Sequence, residues 1–241
     1  MYEVGSPGGW VNEQKWKRRA SGTLHAIGAV LLAVMAAASF LGVAFAGAPA
    51  LRAMAAVAGV AAAVGCWYLW VRARGLLKQA GQAAVGVRSE REVRGVIRGT
   101  DSVAVAYGLL LGHRVGDCDV VVFTHGGGAA AIEVKTGHGV VTLDGGTMVV
   151  GRRRLHKSPT RQAENQARRL SRQLGRRAVL AVVCVPGMTN RPFSTDTGVW
   201  VCAKGDLRDV LKRAPRVFGS SSEAEQTMKR LWHAQPAQPT G

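Results

Sequence analysis

Charge is missing from two long stretches of this 241-residue chain: residues 20 to 51 contain no Asp, Glu, Lys or Arg, and neither do residues 53 to 71. Acidic residues are scarce throughout, 15 against 32 Lys and Arg, which leaves a formal net charge of +17. From Arg72 onward there are 27 basic and 13 acidic residues, so most of the surplus lies in the C-terminal part. A surplus of this size speaks of partners rather than of fold. Nucleic acid and anionic lipid headgroups are the two polyanions it suits, and plain solubility in an Arg-rich composition is the third reading. Cysteine is sparse too. Cys66, Cys118, Cys184 and Cys202 have no CxxC neighbour, which excludes a zinc signature. They read as small buried hydrophobes in a reducing compartment, and the spacing gives no support to a Cys184–Cys202 disulfide.

The uncharged stretches form two apolar runs, about 23–46 and 52–71, separated by Gly47-Ala48-Pro49. Each reaches the roughly 20 residues needed to cross a bilayer. Lys15, Lys17, Arg18 and Arg19 precede the first run, Arg72, Arg74 and Lys78 follow the second, and only Arg52 is near the turn. The positive-inside rule then predicts a multi-pass hairpin in the cell membrane with the C-terminal domain in the cytoplasm. Trp67, Tyr68 and Trp70 suit an interfacial belt. Two other readings compete. Ala44-Phe45-Ala46 resembles a signal-peptide cleavage site, although the run is long and a second span follows. Two buried core helices of a soluble fold are the other, although neither run has a polar face.

Residues 1 to 22 read as a basic cytoplasmic segment whose first 14 residues are disordered, and residues 234–241 read as a disordered tail. Between them, residues 81–233 read as an α/β domain. A helix is expected over 84–98, and strands over 103–111, 118–124 and 129–136. A hairpin around Asp144-Gly145-Gly146 follows. Ser158 and Pro159 open a helix to about Leu174. Short apolar runs at 178–185 and 198–202 suit buried strands. A short helix over 206–213 follows them. Ser222 and Glu225 match a capping box for a last helix ending near His233.

The chemistry concentrates in Gly116-Asp117-Cys118-Asp119 and in Ala131-Ile132-Glu133-Val134-Lys135. Residues two apart in a strand share a face, so Glu133 and Lys135 project together. A hairpin through Gly126-Gly127-Gly128 can set Asp119 beside Glu133. Charges within otherwise apolar strands are costly to bury without a partner or a metal. Two carboxylates can hold Mg²⁺ with few protein ligands, and a lysine beside them can orient or deprotonate a water. An isolated E-x-K in a surface strand is the bland alternative. Arg152, Arg153, Arg154, His156 and Lys157 form a basic loop. Arg161, Arg168 and Arg172 lie on one side of the helix that follows, either solvated or on phosphates. His113, His125 and His138 have no ligand spacing.

This region resembles the nuclease-related domain, a branch of the PD-(D/E)XK nuclease superfamily, over roughly residues 81 to 190. The resemblance rests on Gly116, Asp117, Asp119, the glycine turn, Glu133, Val134 and Lys135. Cys118 stands where the family has an aliphatic residue. Gly86-Val87-Arg88-Ser89-Glu90 is similar to the family's Gly-x-x-Gly-Glu helix, with Ser89 in place of the second glycine. Glu90 shares a stripe with Val93 and Ile97, and Glu92 lies off it. Pro159 and Gln162 match a downstream Pro and Gln. The resemblance implies a restriction-endonuclease-like α/β domain with a central mixed sheet flanked by helices. It implies a metal-dependent nuclease with Asp119, Glu133, Lys135, Glu90 and Gln162 in the active site. Asp119, Glu133 and Val134 would hold Mg²⁺ or Mn²⁺, with DNA more than RNA as the partner. A catalytically inactive nucleic-acid module at the membrane is the alternative, and a lipid-headgroup binder is a third.

Overall fold

The computed structural model describes residues 1–5, 9–45, 47–111, 117–155 and 157–235. Gly116, His113 and His156 lie outside the described residues, as does the expected tail from residue 236. Two compact units emerge, one from Met1–Gly9 with Val85–Gly241 and one from Trp10–Ala84.

The smaller unit is a helical pair, α1 (Gly9–Phe45) with the first part of α2 (Pro49–Arg98). Both helices are long and apolar enough to cross a membrane. Leu24, Ile27, Val30, Leu31, Val34, Val57, Val60 and Val64 face outward. Buried soluble helices would turn such residues inward, so the outward apolar surface suits lipid. Inside the pair, Gly28 abuts Leu69, Gly65 abuts Leu32 and Gly59 abuts Phe40. Small residues of this kind let helix backbones approach closely in a bilayer.

The larger unit is built on a seven-stranded mixed sheet. Its strands are β1 (Tyr2–Val4), β2 (Ser102–Leu109), β3 (Cys118–Thr124), β4 (Ala129–Val134), β9 (Leu180–Cys184), β12 (Trp200–Cys202) and β11 (Phe193–Ser194), in that spatial order. β2, β3 and β4 are antiparallel, while β4, β9 and β12 are parallel. Both faces are covered, which is why these strands read as continuous apolar runs. On one face, α3 (Pro159–Gln173) and α5 (Ser221–His233) pack over Val121, Phe123, Ala131 and Val183. On the other, Val93 and Ile97 of α2 and Leu207 and Val210 of α4 (Leu207–Leu211) pack over Val120, Ile132 and Val182. β6 (Val141–Asp144), β7 (Thr147–Val150) and β8 (Arg153–Arg154) make a separate three-stranded sheet. β5 (His138–Gly139) pairs in parallel with β10 (Gly187–Met188).

Four expectations need correction. Tyr2–Val4 is not disordered: it pairs in parallel with Ala104–Ala106 as the sheet's edge strand. Glu3 holds it there through ion pairs to Arg94 and to Arg98, the latter at 3.3 Å. The expected helix over 84–98 is the end of α2, which runs unbroken from Pro49. The basic loop contributes Arg153 and Arg154 as a third strand beside the expected hairpin. The last helix is capped two residues earlier, at Ser220. Ser220 accepts from the Glu223 N–H, and Glu223 accepts from the Gly219 N–H at 2.8 Å. The run Ser220-Ser221-Ser222-Glu223-Ala224-Glu225 satisfies the S-x-x-E pattern in both frames, and the Arg177–Glu223 pair at 2.8 Å favours the earlier one.

Candidate active site

β3 and β4 pair with Val120 opposite Ile132 and Val121 opposite Ala131. One step further, the register sets Asp119 opposite Glu133, where cross-strand neighbours share a face. A hydrogen bond fixes the approach: the Val134 N–H donates to Asp119 Oδ2 at 2.7 Å. Alternation along β4 sends Ile132 and Val134 to the α2 face and Ala131 to the α3 face, so Glu133 points toward α3.

Glu133 is 1% exposed, an unusual place for a carboxylate. Both its oxygens are met. Lys135 Nζ donates to Oε1, and Gln166 Nε2 donates to Oε2 at 2.8 Å. The same Gln166 amide nitrogen donates to the Asp117 carbonyl at 3.1 Å. Two acceptors on one side determine which way the amide faces. Gln166 Oε1 is then left buried with no hydrogen-bond partner among the described residues. Such an acceptor costs about 1–3 kcal/mol unless a donor such as water meets it.

Burial is the first cause that pushes Asp119 well above the usual carboxylate range, followed by the like charges of Glu133 and Glu90. The Val134 N–H and the Lys135 charge oppose the rise. Burial raises Glu133 as well, against the opposing charge and hydrogen bond of Lys135 and the Gln166 bond. Burial also holds Cys118 as a neutral thiol, far from nucleophilic use. The site thus concentrates negative charge that its surroundings resist, and a cation there would relieve the conflict.

Asp119, Glu133 and Lys135 meet on one face, and Glu90 on α2 is close enough to act on Asp119. Gln162 does not join them. It is half-buried, and its main-chain N–H serves the first turn of α3 by donating to the Ser158 carbonyl at 3.1 Å. Gln166, one turn further on, takes the position against Glu133. It lies on the stripe of Ala163, Ala167, Leu170 and Leu174, and a glutamine on a buried apolar stripe was the signal for it. Glu92, off the Glu90 stripe, is held by two cations. It accepts from Lys204 Nζ at 2.8 Å and from Arg88 Nε at 3.3 Å. Arg161, Arg168 and Arg172 are exposed along α3, and Arg152, Arg153 and Arg154 are exposed beside it in sequence.

Paired carboxylates on adjacent strands can hold a divalent cation with few other protein ligands, and Lys135 stands beside them. The family model of the nuclease-related domain (NERD) matches residues 85–186. Over this span the chain is similar to a nuclease-related domain. The match begins where the larger unit resumes on α2 and ends just beyond β9, so it takes in Glu90, Asp119, Glu133, Lys135 and Gln166 together. Outside it, β12, α4 and α5 complete the sheet and its covering layers. No curated protein and no solved structure matches the chain. Among the described residues no group of three or more His, Cys, Asp and Glu is arranged to hold a metal. Any cation at the nuclease-related domain would therefore depend on two carboxylates and the main chain. Val134 could contribute only its carbonyl oxygen, since a main-chain N–H is a donor and does not ligate a cation.

Proposed function

We propose that the nuclease-related domain hydrolyses phosphodiester bonds in nucleic acid, DNA in preference to RNA, with Mg²⁺ or Mn²⁺ bound at Asp119, Glu133 and the Val134 carbonyl. The observation that carries this reading is Glu133, buried, opposite Asp119, and gripped by both Lys135 and Gln166. The donors are all hard oxygens, and Mg²⁺ is commonly held by one or two carboxylates with water and substrate phosphate filling the rest of its shell. Bound there, the cation would polarise the phosphate and acidify a water. Lys135 orients that water and offsets charge growing on the phosphate. Gln166 keeps Glu133 in one orientation. Glu90 and Asp117 add negative charge around the cation site.

The apolar helical pair anchors the domain to the cell membrane as a hairpin, with the catalytic domain in the cytoplasm. Two observations support this. Basic residues flank its outer ends, and both ends of the pair lead into one sheet, through β1 on one side and α2 on the other. An anchor that crossed once would separate β1 from β2.

A second reading, a non-catalytic domain that tethers nucleic acid, is favoured by one feature: Lys135 and Gln166 already occupy both oxygens of Glu133. Purified full-length protein incubated with DNA and RNA, with and without Mg²⁺, decides between them. Mg²⁺-dependent cleavage that disappears in Asp119→Ala and Lys135→Ala is expected. A salt-sensitive complex without product would establish tethering instead.

A further inference from the structure

The three parallel strands β4, β9 and β12 end at the same edge of the sheet. Their carboxyl ends carry Lys135 and Thr136 after β4, Pro186 to Thr189 after β9, and Lys204 after β12. A groove of about 670 Å³ lies along this edge, closed on one side by Val85, Arg88, Ser89 and Glu92 of α2. Part of its lining, at Gly137 and Gly187, offers only main chain. A side chain at Gly187 would put its Cβ 2.4 Å from the Gly137 carbonyl oxygen, and one at Gly137 would strike Val150 at 2.4 Å. The groove begins at the residue next to Lys135 and runs across the strand ends to Lys204. That is two interstrand spacings, about 10 Å.

Its charged groups are Arg88, Lys204, Glu92 and, when protonated, His138. Lys204 and Arg88 come from distant parts of the chain and converge on one carboxylate, Glu92, at 2.8 and 3.3 Å. None of the three is deeply buried: Lys204 is 45% exposed, Glu92 35% and Arg88 83%. An ion pair this exposed adds little to stability. Two cations held ready in a groove, with main chain at Gly137 and Gly187 that lets a ligand lie close, match what a phosphodiester backbone requires.

We propose that this groove receives the nucleic-acid strand beside the scissile phosphate, with Lys204 and Arg88 binding a neighbouring phosphate and Glu92 standing in for that phosphate in the free protein. The proposal rests on the nuclease reading of the same edge. Lys204 and Arg88 are binding residues, outside the reacting atoms. Loss of their charges raises KM and leaves kcat unchanged. Glu92→Gln removes the competing anion and tightens binding.

The test uses full-length protein in detergent, a fluorescein-labelled single strand, anisotropy across a salt series, and cleavage kinetics with Mg²⁺. For Arg88→Met/Lys204→Met the expected results are affinity lower by on the order of tenfold and a salt slope shallower by about 0.7, the value for one phosphate contact on a single strand. Lys204→Arg should restore most of the loss in a chain with native Arg88, which a packing defect would not allow. Glu92→Gln should bind several-fold more tightly. Unchanged affinity, slope and KM in the double variant, with wild-type cleavage intact, would overturn the groove and leave the nuclease reading standing. No binding and no cleavage by the wild-type chain would overturn both.

Discussion

Lys135 sits against a carboxylate that has almost no contact with solvent, so its loss has two separable effects. Lys135→Met should reduce turnover by about 10²–10⁴-fold. It should also cost stability, because Glu133 loses its charge partner, although Glu133 can take up a proton in response. Lys135→Met/Glu133→Gln should recover the melting temperature without recovering turnover. Recovery of both, or turnover retained in the single variant, would make Lys135 structural. Asp119 gives a pH-dependent counterpart. Its folded-state pKa is raised above the unfolded value, chiefly by burial. The native state therefore binds the proton more tightly, and the associated stability, full in acid, is lost as pH rises through the folded pKa. In EDTA, Asp119→Asn should melt a few degrees above wild type at neutral pH, at about 2–4 °C per kcal/mol for a chain of this size. The gap should close below the ordinary carboxylate range, and a constant gap across pH would contradict the raised pKa. These residues were legible because a strand has a period of two. With Glu133 on an inward face, Lys135 must follow it, and one glycine turn returns Asp119 opposite. The glutamine was not legible to one turn. Gln162 and Gln166 occupy the same helix, and only its rotation against β4 selects between them.

Among the elements, those with long apolar runs or strong caps could be read directly. β3, β4, β9 and α3 fall within a few residues of their expected bounds, and Ser158 caps α3 as expected. β1 could not, because Tyr2–Val4 is only three residues long and its partner is far along the chain. What makes it a strand is tertiary. Val4 packs against the core, Lys229 lies 5.0 Å over the Tyr2 ring, and Gly5 turns the chain away at φ +76°. A Cβ on Gly5 would lie 2.3 Å from the Tyr107 carbonyl oxygen and 2.8 Å from the Trp232 ring. Gly5→Ala should therefore destabilise the domain by about 1–3 kcal/mol. Gly145→Ala is the control, since φ is also positive there, at +55°, but the surroundings are open. Equal effects at the two positions would show that β1 contributes nothing to the sheet.

For the molecule as a whole, composition was the most informative property, because segregation of the charge from two uncharged runs separates the apolar helical pair from the basic α/β unit before any motif is read. A cytoplasmic-type reporter fused after Gly241 should be active. An exported-type reporter placed in the turn at Gly47–Pro49 should be active as well. The opposite pattern would reject the hairpin. The edge strand has a consequence for the order of biosynthesis. Tyr2 to Val4 leave the ribosome first, yet their partners Ala104 to Ala106 emerge only after both apolar helices have been translated. The sheet cannot be completed until both helices have been made. On the proposed hairpin reading, a chain whose first helix was fully translocated would carry residues 2–4 to the far side of the membrane, away from β2. Pairing of β1 with β2 then requires both ends of the helical pair on one side of the membrane.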